Sequence, residues 1–310
     1  MPHQVGYCCI NMTLGKQKIM TGRTMRQASF LQDTHLVRTS LLALQNAQDL
    51  VKILQWNAAQ NVKVFRIGSN IFPWNSEYLV TDLPDIAKIL EVMKQAGEVI
   101  QSSGQRVSFH PDHFVKLGTV KDNVARRSIL DLNHHDDLMT MFGLPATHQY
   151  PLNIHVGMNY HEDVIHRFID RFHMLKDTTK KRLVVENDDK ANAFSVKQLH
   201  REIYSQINTP ITFDYFHHTF HPDGLTSEYA ACIAAETWDC TPLFHCSESK
   251  NINENVTGNA RAHADYVFHR VNDYNLNIDI DLEAKAKEKA LFKYWEFGND
   301  ELFRLRGVIG

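Results

Sequence analysis

Histidine and acidic side chains recur together at intervals along this chain, and histidine is frequent, with 18 among 310 residues. The recurring groups are His110-Pro111-Asp112, His155, Glu186 to Asp189, Asp214 to His218, His245 and Asp281 to Glu283. Imidazoles and carboxylates that are buried together are costly unless a cation neutralises them. Such mixed sets suit Mn²⁺, Zn²⁺ or Fe²⁺ better than Mg²⁺ or Ca²⁺, which prefer oxygen ligands. With three or more carboxylates, they could hold two or three ions, the usual arrangement for cleaving phosphodiesters.

The elements that must position these groups are short β-rich runs that alternate with amphipathic helical segments. The predicted strands are Val5–Ile10, Val62–Ile67, Arg106–Phe109, Leu152–Val156, Leu183–Glu186, Ile211–Asp214, Pro242–His245 and Leu276–Glu283. Apolar residues at helical spacing predict helices over 41–54, 86–93, 165–172 and 196–203, whereas three other intervening segments are less clearly patterned. Ser195 and Thr226 are predicted to cap helix N-termini.

Strands separated by helices imply right-handed βαβ units and a parallel sheet. Eight such units without a break predict an α/β fold, a closed (β/α)₈ TIM barrel, with residues 1–310 as a single domain. Neither GxGxxG nor GxxxxGK[ST] follows a predicted strand, which argues against dinucleotide and P-loop binding. Because active sites of this barrel lie at the C-terminal ends of its strands, we expect the histidine and acidic groups to meet there.

Composition narrows the class of protein further. A net charge of −3 argues mildly against a protein that coats nucleic acid through bulk charge. The five cysteines have neither a disulfide framework nor zinc-finger spacing, so free thiols are predicted. The first residues do not resemble a secretory signal, and no apolar run approaches the roughly 20 residues that span a bilayer. We therefore expect a cytoplasmic protein without membrane contact.

Two further polar clusters are interpreted as having no catalytic or metal-binding role. His134-His135-Asp136-Asp137 falls within a helical stretch and is predicted to form a solvated helix face. His161 and His166 superficially suggest a zinc-protease helix. They are five residues apart rather than four, so they do not share a helix face as HExxH requires.

Taken in order, several segments resemble the UV damage endonucleases. They are Gly6-Tyr7, Asn11 to Gly15 (N-x-T-L-G), Phe65 to Gly68 (F-R-I-G), Pro73-Trp74, His110 to Val115 (H-P-G-Q-[FY]-V in the family), Glu186 to Asp189 (E-N-D-[DE]), Asp214 to His218 (D-x-x-H-H) and Glu283 to Glu288 (E-A-K-x-K-E). The match runs from about Val5 to Leu291. The last three motifs, in this order and spacing, are specific to that family.

The resemblance implies a barrel enzyme related to endonuclease IV that cuts DNA 5′ to pyrimidine dimers and (6-4) photoproducts and starts excision repair. It also implies a cluster of two or three Mn²⁺ ions, with Zn²⁺ or Mg²⁺ as other possible occupants. The metal ligands that it implies are His110, His155, Glu186, Asp214, His217, His245, His263 and Glu283. The catalytic residues would be Glu186 and Glu283, with Lys285 and Lys287 neutralising charge on the phosphate.

Recognition of the lesion is implied by the same resemblance. The residues expected to contact DNA or the lesion are Tyr7, Asn11, Arg66, His113 and Phe114. Phe114 would fill the gap left when the damaged dinucleotide leaves the stack, and Tyr7 would offer a stacking face. The expected partner is double-stranded DNA with UV lesions, without an obligate protein partner, and the expected location is the nucleoid.

Several positions depart from the family's pattern. Leu243 stands where the family usually has a lysine, thought to be carboxylated and to bind metal. Glu77 replaces a common histidine, and we hypothesise that its carboxylate is a metal ligand that partly offsets the missing lysine. Asp281 replaces an apolar residue and is either an outer acid of the site or a salt-bridged core acid. In the H-P-G-Q-[FY]-V segment, Asp112 and His113 replace glycine and glutamine, which affects lesion preference more than reaction type.

Three other functions are compatible with parts of this pattern. An abasic-site endonuclease of the endonuclease IV type would share the barrel and the metals. A metal-dependent sugar isomerase or epimerase would share the barrel and the ligand types, but a small-sugar pocket does not need the Tyr7/Asn11 segment or the His113-Phe114 pair. A binding module without catalysis would leave the convergence of so many ligand-type residues unexplained.

Overall fold

In the computed structural model the described residues are 4–297 and 308–309. The strands are β1 (Gln4–Cys9), β2 (Val64–Ile67), β3 (Arg106–Phe109), β4 (Leu152–His155), β5 (Leu183–Glu186), β6 (Ile211–Thr212), β7 (Leu243–Cys246), β8 (Arg270–Val271), β9 (Asp279–Leu282) and β10 (Val308–Ile309). Eight of them form one parallel sheet in the order β6-β5-β4-β3-β2-β1-β9-β7. The remaining two, β8 and β10, pair in parallel with each other.

Helices cover the outside of this sheet. They are α1 (Met12–Gly15), α2 (Gln27–Gln32), α3 (Val37–Ala59), α4 (Ile86–Ser103), α5 (Asp122–Met141), α6 (Glu162–His173), α7 (Asp177–Lys180), α8 (Val196–Leu199), α9 (Ser205–Ile207), α10 (Tyr215–Phe220), α11 (Ser227–Glu236), α12 (Lys250–Glu254) and α13 (Glu288–Phe297). Short 3₁₀ turns occupy Asn75–Glu77 and Val80–Asp82, and a π-helical turn at His200–Tyr204 joins α8 to α9.

The sheet closes into a barrel between its two end strands, β6 and β7. A parallel bridge joins Asp214 to His245, and the backbone N–H of His245 donates to the carbonyl of Phe213 at 3.0 Å. The predicted (β/α)₈ barrel is therefore confirmed, with each of the eight predicted strands present. The assignment of the whole chain to one domain stays a prediction.

Strand ends differ from the sequence prediction by a few residues. β6 stops at Thr212, because Asp214, predicted to end the strand, instead caps α10 and accepts a hydrogen bond from the backbone of His217. β9 begins at Asp279 rather than Leu276. The predicted N-caps are confirmed: Ser195 accepts from the backbone N–H of Gln198, and Thr226 accepts from that of Tyr229.

The core fills the barrel interior and the layer between barrel and helices. Parallel strands covered on both sides are apolar on both faces, and each of the four residues of β3, β5 and β7 is buried. α3 packs against α4, and α4 packs against α5. Gly97 of α4 allows a close approach to Phe142 at the end of α5. A Cβ at Gly97 would lie 1.7 Å from the carbonyl oxygen of Phe142.

The solvated face predicted for 134–137 is wrong for its first three residues. His134, His135 and Asp136 are buried, and only Asp137 faces solvent, where it pairs with Lys176. Asp136 instead forms a buried ion pair with Arg182 at 2.8 Å. A local pattern of polar residues could not reveal this, because the partner lies 46 residues away in sequence.

Two smaller expectations concern membranes and cysteines. Within the described residues, no helix is both long and apolar enough to cross a membrane. The five cysteines are free thiols, as predicted.

Candidate metal centre

Glu186 ends β5 at the C-terminal mouth of the barrel, and imidazoles from four other segments surround its carboxylate. Nδ1 of His245 lies 3.0 Å from Oε2, and Nε2 of His110 lies 3.2 Å from the same oxygen. On the other side, Nδ1 of His217 is 3.2 Å and Nε2 of His155 is 3.6 Å from Oε1. Glu186 is only 1% exposed. It is therefore a buried anion enclosed by ring nitrogens.

Glu283 follows β9 directly and supplies a second acid. Its Oε1 pairs with Nη1 of Arg66 and lies 3.3 Å from Nδ1 of His245. Nδ1 of His263 is 3.5 Å from the other oxygen. A backbone bridge to Ser249 holds His263 in the long segment between β7 and β9. His245 thus contacts both acids and joins them into one cluster.

The donor set of this cluster fits divalent cations. Two groups each bring their ligand atoms within 4.8 Å of one another: His110, Glu186 and His245 form one, and His155, Glu186 and His217 form the other. Within the described part of the chain, Oε1 of Glu186, Oδ2 of Asp214 and Nδ1 of His245 are buried without a hydrogen bond. Unpaired buried groups of this kind are costly. Ions in the two positions would satisfy Glu186, which is common to both groups, and His245.

Burial and charge perturb the ionisation of the cluster. Burial raises the pKa of Glu186, but the charges of His245 and His155 outweigh it and hold the pKa well below its usual range. Burial lowers the pKa of His245, yet the charge of Glu186 raises it to about 9. The pKa of His217 is raised as well, because Asp214 and Glu186 outweigh its burial. The carboxylates and these two imidazoles therefore form a buried network of opposite charges near neutral pH.

Two acids lie deeper than the imidazoles. Asp214 is fully buried, and burial raises its pKa. Burial also raises the pKa of Asp281, which accepts a hydrogen bond from Ser108 at 3.3 Å and lies 4.0 Å from Nε2 of His245. Asp281 is thus an outer acid that faces the far side of the His245 ring, one of the two roles considered for it.

Sequence reasoning missed one side chain of this cluster. The amide of Asn153 donates to Oε2 of Glu186. Asn153 stands two residues before His155 on β4, so both point into the barrel. That spacing was the available signal, because alternate residues of a strand share a face.

Four further residues were expected to bind metal, phosphate or DNA, and their surroundings differ. Glu77 belongs to neither three-residue group of the described chain, and its carboxylate pairs with Arg127 at 3.1 Å. Lys285 is exposed and Lys287 half-buried, just beyond Glu283. Arg66, expected to contact DNA, pairs with Glu283.

The stacking face expected of Tyr7 is a wrong prediction. Its side chain is wholly buried, with its ring centroid 4.9 Å from that of Phe65. Its hydroxyl donates to Asn57 at 2.7 Å and accepts from Asn11 at 2.9 Å. Asn11 is also buried and caps α1. Through Asn57 of α3, these two residues connect β1 and α1 to the helical layer outside the barrel.

A tight turn over 112–115 carries the side chains expected to probe the lesion. The backbone N–H of Val115 donates to the carbonyl of Asp112 at 2.9 Å. His113 is exposed, and Phe114 is 48% exposed. The turn borders a cleft of about 580 Å³, which is also lined by His110, His155, His217 and His263. His113 and four candidate metal ligands thus line one cleft, and Phe114 is exposed beside His113 in the turn.

Comparison with known proteins identifies the family. The model of the UV-endonuclease UvdE family matches residues 3–308. The chain belongs to this family. It is 30% identical over 239 residues to a UV DNA damage endonuclease of Clostridium perfringens, covering 76% of this chain and 55% of that protein. It is 28% identical over 279 residues to the UV-damage endonuclease of Schizosaccharomyces pombe, covering 86% of this chain and 46% of that one. The chain thus spans about half the length of these relatives of the UV-endonuclease family.

A solved structure of the UV-endonuclease family agrees with this fold. The crystal structure of SacUVDE has a TM-score of 0.82 and 30% identity, covering 96% of this chain and 100% of that chain. Likeness of fold alone extends to endonuclease IV from Thermus thermophilus, at a TM-score of 0.53 and 15% identity, covering 80% of this chain and 94% of that one. The predicted family is confirmed, and the individual roles of the site residues stay predictions.

Proposed function

We propose that this chain is an endonuclease that depends on a divalent metal and nicks double-stranded DNA 5′ to UV photoproducts. One observation carries the proposal: in a member of the UV-endonuclease family, the histidines around Glu186 line the same cleft as His113, and the exposed ring of Phe114 follows His113 in the same turn. The cluster can perform phosphodiester chemistry, and the exposed turn can distinguish distorted DNA from regular duplex. Excision repair would begin from the nick.

The cluster would bind the ions through residues from several strands. Divalent ions in such a site activate water as a nucleophile and stabilise the charge on the leaving oxygen. Glu186 would hold two positions together, with His110 and His245 at one and His155 and His217 at the other. Asp214, His263 and Glu283 lie beside these positions and would complete the shell. We propose Mn²⁺ as the resident ion, because mixed imidazole and carboxylate ligands suit it.

The rim of the cleft would bind the DNA. Phe114 presents an apolar ring that can enter the duplex where a damaged dinucleotide has left the stack. His113 would hydrogen-bond at the lesion. Lys285 and Lys287 follow Glu283 closely, so their ammonium groups would attract the phosphates next to the cut.

Two alternatives predict different substrates. An abasic-site endonuclease would need the same metals but no probe for a photoproduct. A sugar epimerase would need an enclosed pocket for a small ligand, and the exposed phenyl ring of Phe114 has no part in such a pocket. The exposed turn therefore favours a DNA substrate.

The test uses three matched duplex oligonucleotides: one with a single (6-4) photoproduct, one with a single abasic site, and one undamaged. Each is incubated with purified protein and Mn²⁺, with or without EDTA, and the products are sized on a denaturing gel. We expect a cut immediately 5′ to the photoproduct that EDTA abolishes. Glu186→Gln should lower the rate at least about 100-fold, because it removes the shared charge at the reacting centre.

The matched control is His148→Asn. His148 also pairs with a carboxylate, at 2.9 Å from Asp239, but it precedes β4 and so lies at the opposite end of the barrel. Its substitution should leave cutting unchanged. Cutting only at the abasic site would instead assign the chain to the endonuclease IV type of activity. Bound metal without cutting of any duplex would favour the epimerase.

A further inference from the structure

A buried polar stripe on α5 takes no part in the candidate metal centre. Ser128, Asp131 and His135 stand at positions i, i+3 and i+7 and therefore share one face of the helix. All three are buried. Buried polar side chains need partners, and the partners of this stripe lie in the loops that follow β2 and β3.

Ser128 holds the far end of the 112–115 turn. Its hydroxyl accepts a hydrogen bond from the backbone N–H of Lys116 at 2.8 Å and donates to the carbonyl of Val124 at 2.8 Å. Lys116 directly follows the turn. The bond therefore fixes the chain to α5 at the point where the exposed side chains end.

Asp131 and His135 hold the loop after β2. Oδ1 of Asp131 lies 3.0 Å from Nδ1 of His135, and Oδ2 accepts from Asn75 at 3.3 Å. Burial lowers the pKa of His135, but the charge of Asp131 and the hydrogen bond that the ring makes to Asp131 outweigh burial and raise the pKa. The pair thus ties α5 to this loop at Asn75.

Ser69, in the same loop as Asn75, contacts the near end of the turn. Its hydroxyl donates to Oδ1 of Asp112 at 3.4 Å. Asp112 is the first residue of the turn, and His110, a candidate metal ligand, stands two residues before it. The far end of the 112–115 turn is therefore connected to α5 directly, through Ser128, and the near end is connected to it through the loop after β2.

We propose that Ser128, Asp131 and His135 are positioning residues that hold the 112–115 turn, with His113 and Phe114, in the place that lesion recognition requires. The role in recognition rests on the proposed function. A recognition element on a loop is useful only when the loop is held rigidly. Here the rigidity comes from a long helix outside the site.

The test compares Ser128→Ala with Ser102→Ala. Ser102 is a matched control, because its hydroxyl makes the same kind of bond to the carbonyl four residues earlier, that of Glu98, at 2.6 Å. It lies on the exposed side of α4, away from the turn. Three quantities are measured: amide hydrogen exchange over residues 110–117, KM and kcat on photoproduct DNA, and bound Mn²⁺.

For Ser128→Ala we expect exchange over 110–117 and KM each to rise about fivefold, the effect of one lost hydrogen bond. We expect kcat and bound Mn²⁺ to stay within about twofold of the native values, because the bond is remote from the metal ligands. Ser102→Ala should match the native protein in all three. A second variant, Asp131→Asn, keeps the size of the side chain and should shift exchange and KM in the same direction.

Two results would overturn the inference: unchanged exchange over 110–117 in Ser128→Ala, or a loss of kcat and bound metal with KM unchanged. The second would show that the stripe supports the metal centre rather than the turn. Failure of the proposed function is distinguishable, because it appears as native protein that cuts no photoproduct DNA. The exchange comparison requires no activity and tests the attachment of the turn by itself.

Discussion

Binding of a metal ion to this cluster should release protons, and the number can be worked out from His245. Its pKa is raised to about 9 by the charge of Glu186 against the effect of burial. At about pH 7 the ring is then neutral only about 1% of the time, and a protonated imidazole cannot bind metal. Each ion that takes His245 as a ligand must therefore displace about one proton. The apparent affinity should rise about tenfold per pH unit between roughly pH 7 and 9.

The assay is isothermal titration of Mn²⁺ into the metal-free protein at about pH 7, in several buffers of different ionisation enthalpy. The slope of the observed enthalpy against buffer enthalpy gives the number of protons released. We expect about one per ion, because His217, a residue of the other group, also has a raised pKa. His148→Asn should leave the slope unchanged. An enthalpy independent of the buffer, with an affinity independent of pH, would refute the reasoning.

The stability of the metal-free protein should show the opposite trend with pH. A histidine whose pKa is raised by folding stabilises the protein fully below its unfolded pKa, and this contribution disappears as the pH rises through the folded pKa. The raise from 6.5 to about 9 corresponds to at most about 3 kcal/mol. Denaturation in EDTA should therefore show a falling free energy of unfolding between about pH 6.5 and 9. The metal-loaded protein should show little change over the same range, because the rise in metal affinity with pH offsets this fall.

Three further substitutions test packing and placement. Gly97→Ala should lower the free energy of unfolding in urea, because its Cβ would lie 1.7 Å from the carbonyl oxygen of Phe142. This is expected although alanine favours a helix over glycine by about 1 kcal/mol. A stabilised variant would contradict the close packing. Asp136→Ala should cost about 3 kcal/mol, measured in the same way, because Arg182 would keep an unpaired buried charge. Glu77→Ala should leave bound Mn²⁺ unchanged, since its carboxylate pairs with Arg127; a loss of metal would restore its predicted role as a ligand.

The fold could be predicted from sequence because its signals are local. Each strand is a short β-rich run between helical segments, and the rule that active sites lie at strand ends brought His110, His155, Glu186 and His245 together before their distances were known. A histidine or acidic residue at the end of an apolar strand can be recognised from the sequence alone. This is why the centre of the cluster was predictable.

What could not be predicted depended on which way a side chain points or on a distant partner. Tyr7 lies on a strand whose two faces are both buried, so alternation along the sequence does not reveal its direction. His135 and Asp136 are polar residues in a helix and suggested a solvated face. His135 packs against Phe109 and Asp136 pairs with Arg182, and both of these partners lie far away in sequence.

The bridge between Asp214 and His245 gives the barrel a closing point that coincides with its candidate centre. β6 has only two residues in the sheet, so β6 and β7 are joined mainly where a candidate metal ligand stands on each side. An ion bound by a residue from each of these two strands would add a further link between β6 and β7. Metal binding and closure of the barrel would then be coupled, so that a substitution at Asp214 or His245 would affect both.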